Sequence, residues 1–174
     1  MKKKSIILIG LLMISFIFMA SATANYSQTI EKDPCGGGTQ DSAITNPLFI
    51  FTQAPTPSGD GILTVSVIGD YDYTYEWIEV MVEGTSLGQW VPGQQCSCSL
   101  LTNTYPVTRN QLLQWASDGK IEVTLVQGPS VDCFCNDSWY CSPIRNIVTL
   151  DYPGTNNSLP MQQFMKILGF GNKK

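Results

Sequence analysis

Gly59-Asp60-Gly61-Ile62-Leu63-Thr64-Val65-Ser66-Val67-Ile68 is followed, past an aromatic and acidic segment, by Trp77-Ile78-Glu79-Val80-Met81-Val82-Glu83-Gly84. In the first run Leu63, Val65 and Val67 alternate with Thr64 and Ser66. In the second, Ile78, Val80 and Val82 alternate with Glu79 and Met81. Alternation with period two and β-branched enrichment is the strand pattern, and the interleaved polar residues imply one wetted face per strand. The two runs are expected to form an antiparallel pair joined by a decorated loop, each laying one face on a core.

Outward from this pair the same pattern recurs. Residues 48–53 form a short apolar strand, 54–61 a turn region rich in Pro and Gly, and 87–91 a strand ended by Pro92-Gly93. Residues 94–104 read as a polar, cysteine-bearing loop, with a short strand closing at Val107. The period then changes. Thr108 and Gln111 have capping-box spacing, Leu112, Leu113, Trp115 and Ala116 follow at helical spacing, and Asp118-Gly119 supplies a stop, which predicts one helix over 109–117. Alternation resumes over 120–127 and again over 144–152, on either side of a second cysteine loop at 128–143. Met161, Phe164, Met165 and Leu168 stand at i, i+3, i+4 and i+7, the mark of a short amphipathic C-terminal helix. Such a helix is marginal alone and is expected to pack on its own sandwich rather than on a partner or membrane surface. The expected class is all-β: an antiparallel β-sandwich or jelly roll with one short helix inserted.

The amino end carries Lys2, Lys3 and Lys4, an uncharged apolar run over 6–20, and Ala22-Thr23-Ala24. A basic segment, an apolar segment short for a membrane span and a small-x-small site predict a secretory signal peptide, residues 1–24, cleaved near Ala24. Residues 25–47, with Gly36-Gly37-Gly38, are expected to be a flexible leader, 48–152 the sandwich domain, and 153–174 a linker and the C-terminal helix. Without residues 1–24 the chain holds 7 Lys plus Arg against 14 Asp plus Glu, a net charge of −7. That acidity argues against nucleic acid as a partner. No membrane span is expected in the mature chain.

An even set of six cysteines, Cys35, Cys96, Cys98, Cys133, Cys135 and Cys141, in a secreted chain reads as disulfides. Neighbours at i and i+2 on a strand lie about 6.6 Å apart with parallel Cβ vectors, so each Cys-x-Cys pair is expected to bond elsewhere. One such arrangement joins Cys96 and Cys98 to the 133–141 segment, with Cys35 taking the remaining partner. A tetrathiolate zinc site is the rival reading, disfavoured by the spacing and the oxidising compartment.

Residues 70–76 concentrate charge and aromatics. Asp70, Asp72 and Glu76 supply hard oxygens suited to calcium, with Asp60 a further candidate across the turn. Tyr71, Tyr73, Tyr75 and Trp77 fall at every second position, a strip for stacking on sugar rings or anchoring a protein contact, or else a cover for the end of a sandwich. The chain has no histidine, which removes Ser-His-Asp and Cys-His machinery. Carboxylate-pair hydrolysis would fall to Asp70, Asp72, Glu76 and Glu79, but solvated or calcium-binding roles are the commoner use of such residues. Asn25, Asn136 and Asn156 begin Asn-x-Ser sequons.

The segment Asp70, Asp72, Glu76-Trp77-Ile78-Glu79-Val80, Glu83-Gly84 and Leu87-Gly88 resembles secreted bacterial β-sandwich modules of unassigned function. It is more distantly similar to CUB domains, which carry a Tyr-Asp-x-Ile-Glu-Val-like strand, an acidic-Gly turn and Leu-Gly. Asp118-Gly119-Lys120-Ile121-Glu122-Val123-Thr124-Leu125 fits the bacterial pattern. The chain departs from CUB domains in lacking the Cys before the Tyr-Asp position and in carrying the helix. The resemblance implies a jelly roll, extracellular binding, and calcium held by loop acids, for which Asp70, Asp72 and Glu76 are the counterparts. The expectation is a secreted, non-catalytic binding module for an extracellular glycan or protein, with a self-assembling structural subunit of a matrix or filament as the alternative.

Overall fold

The fold was described from a computed structural model, which describes residues 23–35, 45–69, 71, 74–93, 97–129, 131 and 145–155. Its strands are β1 (Thr23–Lys32), β2 (Leu48–Thr52), β3 (Thr56–Pro57), β4 (Gly61–Gly69), β5 (Ile78–Val82), β6 (Thr85–Trp90), β7 (Ser97–Val107), β8 (Lys120–Gln127) and β9 (Arg145–Thr155). One helix, α1 (Arg109–Trp115), runs into a single 3₁₀ turn at Ala116–Asp118.

Two antiparallel sheets form, one in the order β1-β9-β4-β7 with β3 beside the end of β9, the other in the order β2-β8-β5-β6. These orders have a simple origin. The chain behaves as one long hairpin that turns at Glu83-Gly84, so that β5 pairs β6, β4 pairs β7, β2 pairs β8 and β1 pairs β9. Rolling that hairpin up stacks the two sheets and gives a jelly-roll arrangement of eight paired strands, with the two-residue β3 added beside β9. Glu83 (φ 48°) and Gly84 (φ 73°) both lie in the left-handed region. A two-residue turn of this kind has the twist that matches right-twisted strands.

The core lies between the sheets. Leu63, Val65 and Val67 of β4 with Val148 and Leu150 of β9 face Phe49 and Phe51 of β2, Ile78, Val80 and Val82 of β5, and Ile121, Val123 and Leu125 of β8, all buried. Each such side chain contributes roughly 1.5–3 kcal/mol by leaving water. Leu112 and Trp115 of α1 join this core, and Gly61 lets the helix come close, since a Cβ there would stand 3.2 Å from Leu112 Cδ1 and 2.6 Å from the Asp151 carbonyl oxygen.

Several expectations change. The runs at 62–68 and 78–83 do not pair with each other: β4 and β5 belong to different sheets, and the connection after Gly69 crosses between them. Each buries its apolar face against the opposite sheet, which the alternation alone cannot distinguish from pairing side by side. The hairpin is instead β5 with β6. Residues 25–32 of the expected leader form most of β1, paired with β9 from Thr23↔Thr155 to Lys32↔Asn146. The expected polar loop at 94–104 is largely β7, eleven residues long, an edge strand whose outward Thr102 and Thr104 suit a wetted face. β9 continues to Thr155, through the start of the expected linker. The helix and β8 stand where they were expected. The expected signal peptide up to residue 22, residues 36–44 and the expected amphipathic helix after residue 155 lie outside the described residues. Among the described residues no helix is long and apolar enough to cross a membrane.

Candidate functional site

Register places one set of strand ends together. Lys32 of β1 pairs with Asn146 near the start of β9, Ile68 of β4 with Arg145, and Gly69 with Ser97 at the start of β7. In the other sheet Ile78 opens β5 between Trp90 at the end of β6 and Gln127 at the end of β8. Four connections therefore leave and re-enter the sandwich at this end: 33–47, 70–77, 91–96 and 128–144. Five of the six cysteines belong to those connections and the sixth, Cys98, is the second residue of β7. The acidic and aromatic segment belongs to the same end. Loops mounted on a rigid sandwich are where binding residues concentrate.

The described parts of these loops are tied to one another. Tyr71 is fully buried and its hydroxyl donates to Gln127 Oε1 at 2.9 Å. The Gln127 backbone N–H donates to Asn46 Oδ1 at 2.9 Å, so a single glutamine joins the 70–77 connection to the entry of β2. Gly128 N–H donates to the Trp77 carbonyl at 2.7 Å, and a Cβ at Gly128 would meet Trp77 N and O at 3.1 Å, which is why the indole can lie over this turn. Val131, buried, closes back on the Gly128 carbonyl at 3.1 Å. The Thr45 N–H and hydroxyl both donate to the Pro34 carbonyl, at 2.9 and 2.8 Å, which brings together the two described edges of the 33–47 connection.

Against this geometry the expected aromatic strip divides. Tyr71 is a core residue, its ring filling the space between the sheets at this end, and it is removed from any exposed binding strip. Tyr75 is 54 % exposed and Trp77 half-buried on the Gly128 turn. Tyr73 lies outside the described residues. So do Asp70 and Asp72, and of the three expected calcium ligands only Glu76 is described: it is 3 % exposed. Asp60 stands at the opposite end of the sandwich, where its Oδ1 accepts from Arg109 N–H at 2.7 Å, and this sets it apart from the other acids. Glu79, within β5, is half-buried and pairs with Gln89 across the hairpin. Cys35 does not carry a free thiol. Its backbone N–H donates to Asp33 Oδ1 at 2.8 Å. The side chains of the other five cysteines lie outside the described residues.

Two polar residues of this end were not singled out from the sequence: Gln127 and Asn146, buried at inward-facing positions of otherwise apolar strands. The signal was present. Ile121, Val123, Leu125 and Gln127 share one parity in β8, and Asn146, Val148, Leu150 and Tyr152 share one in β9, so a polar residue on each inner face was readable.

Neither family models nor curated proteins compared with this chain match it.

Proposed function

We propose that the protein is a secreted, non-catalytic binding module for an extracellular glycan or protein, and that its contact surface is the end of the jelly roll carrying Tyr75 and Trp77. The observation that supports this reading most directly is Tyr75 itself, 54 % exposed while Tyr71 and Glu76 on either side of it are buried. An aromatic ring held open to solvent on a buttressed loop offers a stacking face at low entropic cost. The amino-terminal signal pattern and the even cysteine set support secretion, and three disulfides among the loops would fix the same end. The lack of histidine supports a non-catalytic role. Calcium is kept in the reading on the acidic composition of the 70–76 segment, where Asp70, Asp72 and Glu76 supply hard oxygens.

The test is a glycan array probed with the oxidised protein, with and without millimolar calcium, beside Tyr75→Ala. Binding that falls at least tenfold in Tyr75→Ala while the fold is unchanged supports the reading; binding indifferent to the substitution removes the tyrosine from it. Stability and binding indifferent to calcium would remove the cation.

A second reading, a self-associating structural subunit, is supported by β2. This edge strand turns Leu48 (37 % exposed) and Ile50 (41 % exposed) to solvent. Apolar edge strands are templates for pairing with another chain. Sedimentation at two concentrations, with Ile50→Lys as the control, separates the two: a concentration-dependent oligomer dissolved by Ile50→Lys favours the subunit.

A further inference from the structure

Inside the sandwich, at the loop end, two amide side chains have polar atoms with no partner among the described residues. Asn146 is 0 % exposed and neither its Oδ1 nor its Nδ2 has a partner; Gln127 is 7 % exposed and its Nε2 has none. They belong to opposite sheets, Asn146 as the second residue of β9 and Gln127 as the last of β8. Because both ends of the Asn146 amide are bare, exchanging its oxygen and nitrogen leaves the finding unchanged. Buried amides are satisfied by protein or by ordered water in nearly all folded proteins.

The chemistry of the bare atoms narrows the guest. Asn146 Nδ2 and Gln127 Nε2 are donors, and Lys32 stands directly opposite Asn146 on β1, so a cation would meet mostly positive ends of dipoles. An anion would leave Asn146 Oδ1 facing it. What fits is a small neutral group that both donates and accepts. Water does so, and polar gaps between sheets hold water where apolar ones stay dry.

We propose that the buried amides of Asn146 and Gln127 are each satisfied by ordered internal water at the loop end of the sandwich. Water accepts from Asn146 Nδ2 and, at the other amide, from Gln127 Nε2, and donates to Asn146 Oδ1. Gln127 Oε1 is already taken by the Tyr71 hydroxyl, so the hydrated amides continue the chain of hydrogen bonds that holds the root of the 71–77 segment. This inference stands apart from the binding reading, because it rests on the interior alone.

The experiment uses the oxidised protein and two readouts. Oxygen-17 relaxation dispersion counts waters that reside longer than the molecule tumbles, and rotating-frame Overhauser spectra detect water beside the side-chain amides. The expected result is direct water contact at the Asn146 amide, and a long-lived water count that falls by at least one in Asn146→Leu, which keeps the shape and removes the polar atoms. No water contact at the Asn146 amide of the wild-type protein overturns the proposal, and so does an unchanged count in a folded Asn146→Leu. If Asn146→Leu does not fold, the wild-type spectrum decides alone.

Discussion

At the scale of single residues, four tyrosines show how one side chain type serves different ends of the sandwich. Tyr71 closes the loop end through Gln127. Replacing it by Phe keeps the ring and strands Gln127 Oε1, and should lower unfolding free energy by about 1–2 kcal/mol in a urea titration, with the slope unchanged. Tyr75, two residues past the undescribed Tyr73, is 54 % exposed. At the opposite end Tyr26 and Tyr152 pack with ring centroids 4.8 Å apart; the Tyr26 hydroxyl donates to Gln28 Oε1 and lies 3.2 Å from the Thr52 carbonyl oxygen, and the Tyr152 hydroxyl donates to the Pro55 carbonyl at 3.0 Å. Burial raises both pKa values above the ordinary one, most strongly for Tyr152, where Tyr26 adds to the effect. The unfolded chain therefore gives up these protons first, near the usual tyrosine pKa of about 10. Stability from this pair is complete below that pH and declines as pH rises beyond it. Absorbance at alkaline pH should show the last part of tyrosine ionisation, that of Tyr26 and Tyr152, arriving together with unfolding, and Tyr152→Phe should move that transition to higher pH, provided the variant folds. Ionisation of all tyrosines near pH 10 with the fold intact would contradict it.

At the scale of elements, turns and caps set the register. The Glu83-Gly84 turn places two successive residues at positive φ, and Glu83 is further held by its carboxylate, which accepts from the Glu122 N–H at 2.7 Å. Gly84→Ala should cost about 1–2 kcal/mol through left-handed strain, since the open space around the position offers no clash to add. The helix is started by Thr108, whose hydroxyl accepts from Gln111 N–H while Gln111 Oε1 accepts from Thr108 N–H at 2.9 Å. Thr108→Ala should cost about 1 kcal/mol, read as a shift in urea midpoint. These two devices mark the limit of what was legible. The capping box was readable because its residues satisfy each other within four positions. The Glu83-Gly84 turn was noticed as an acidic-Gly turn but not as the hinge of the whole chain, because a strand's alternation records which face is wet and not which neighbour it pairs with. β7 was missed for a related reason: Thr102, Asn103, Thr104 and Pro106 make an edge strand look like a loop, when edge strands tolerate polar residues and proline.

At the scale of the whole molecule, the nested pairing β5·β6, β4·β7, β2·β8, β1·β9 makes chemistry converge. Residues as far apart in sequence as Cys35, Asp70, Cys98 and Cys141 belong to connections or strand starts at a single end only because the hairpin is rolled up. The candidate site was legible as composition, in the cysteines and in the 70–77 segment. Its internal division, with Tyr71 and Glu76 inward and Tyr75 outward, was not, because strict alternation from Tyr71 to Trp77 presumes an extended segment, whereas Thr74 and Tyr75 lie in a turn. The same arrangement leaves the outer face of the β1-β9-β4-β7 sheet as a separate surface, with Ile62 51 % exposed and Thr29 and Thr149 hydroxyls bonded at 2.8 Å. The central claim is that binding belongs to the loop end and not to that face. The direct measurement is retention of oxidised wild-type protein, Tyr75→Ala and Ile62→Ala on the immobilised ligand that the array identifies. Retention lost in Tyr75→Ala and kept in Ile62→Ala is the predicted result; the reverse pattern would place the contact surface on the sheet face and contradict the account.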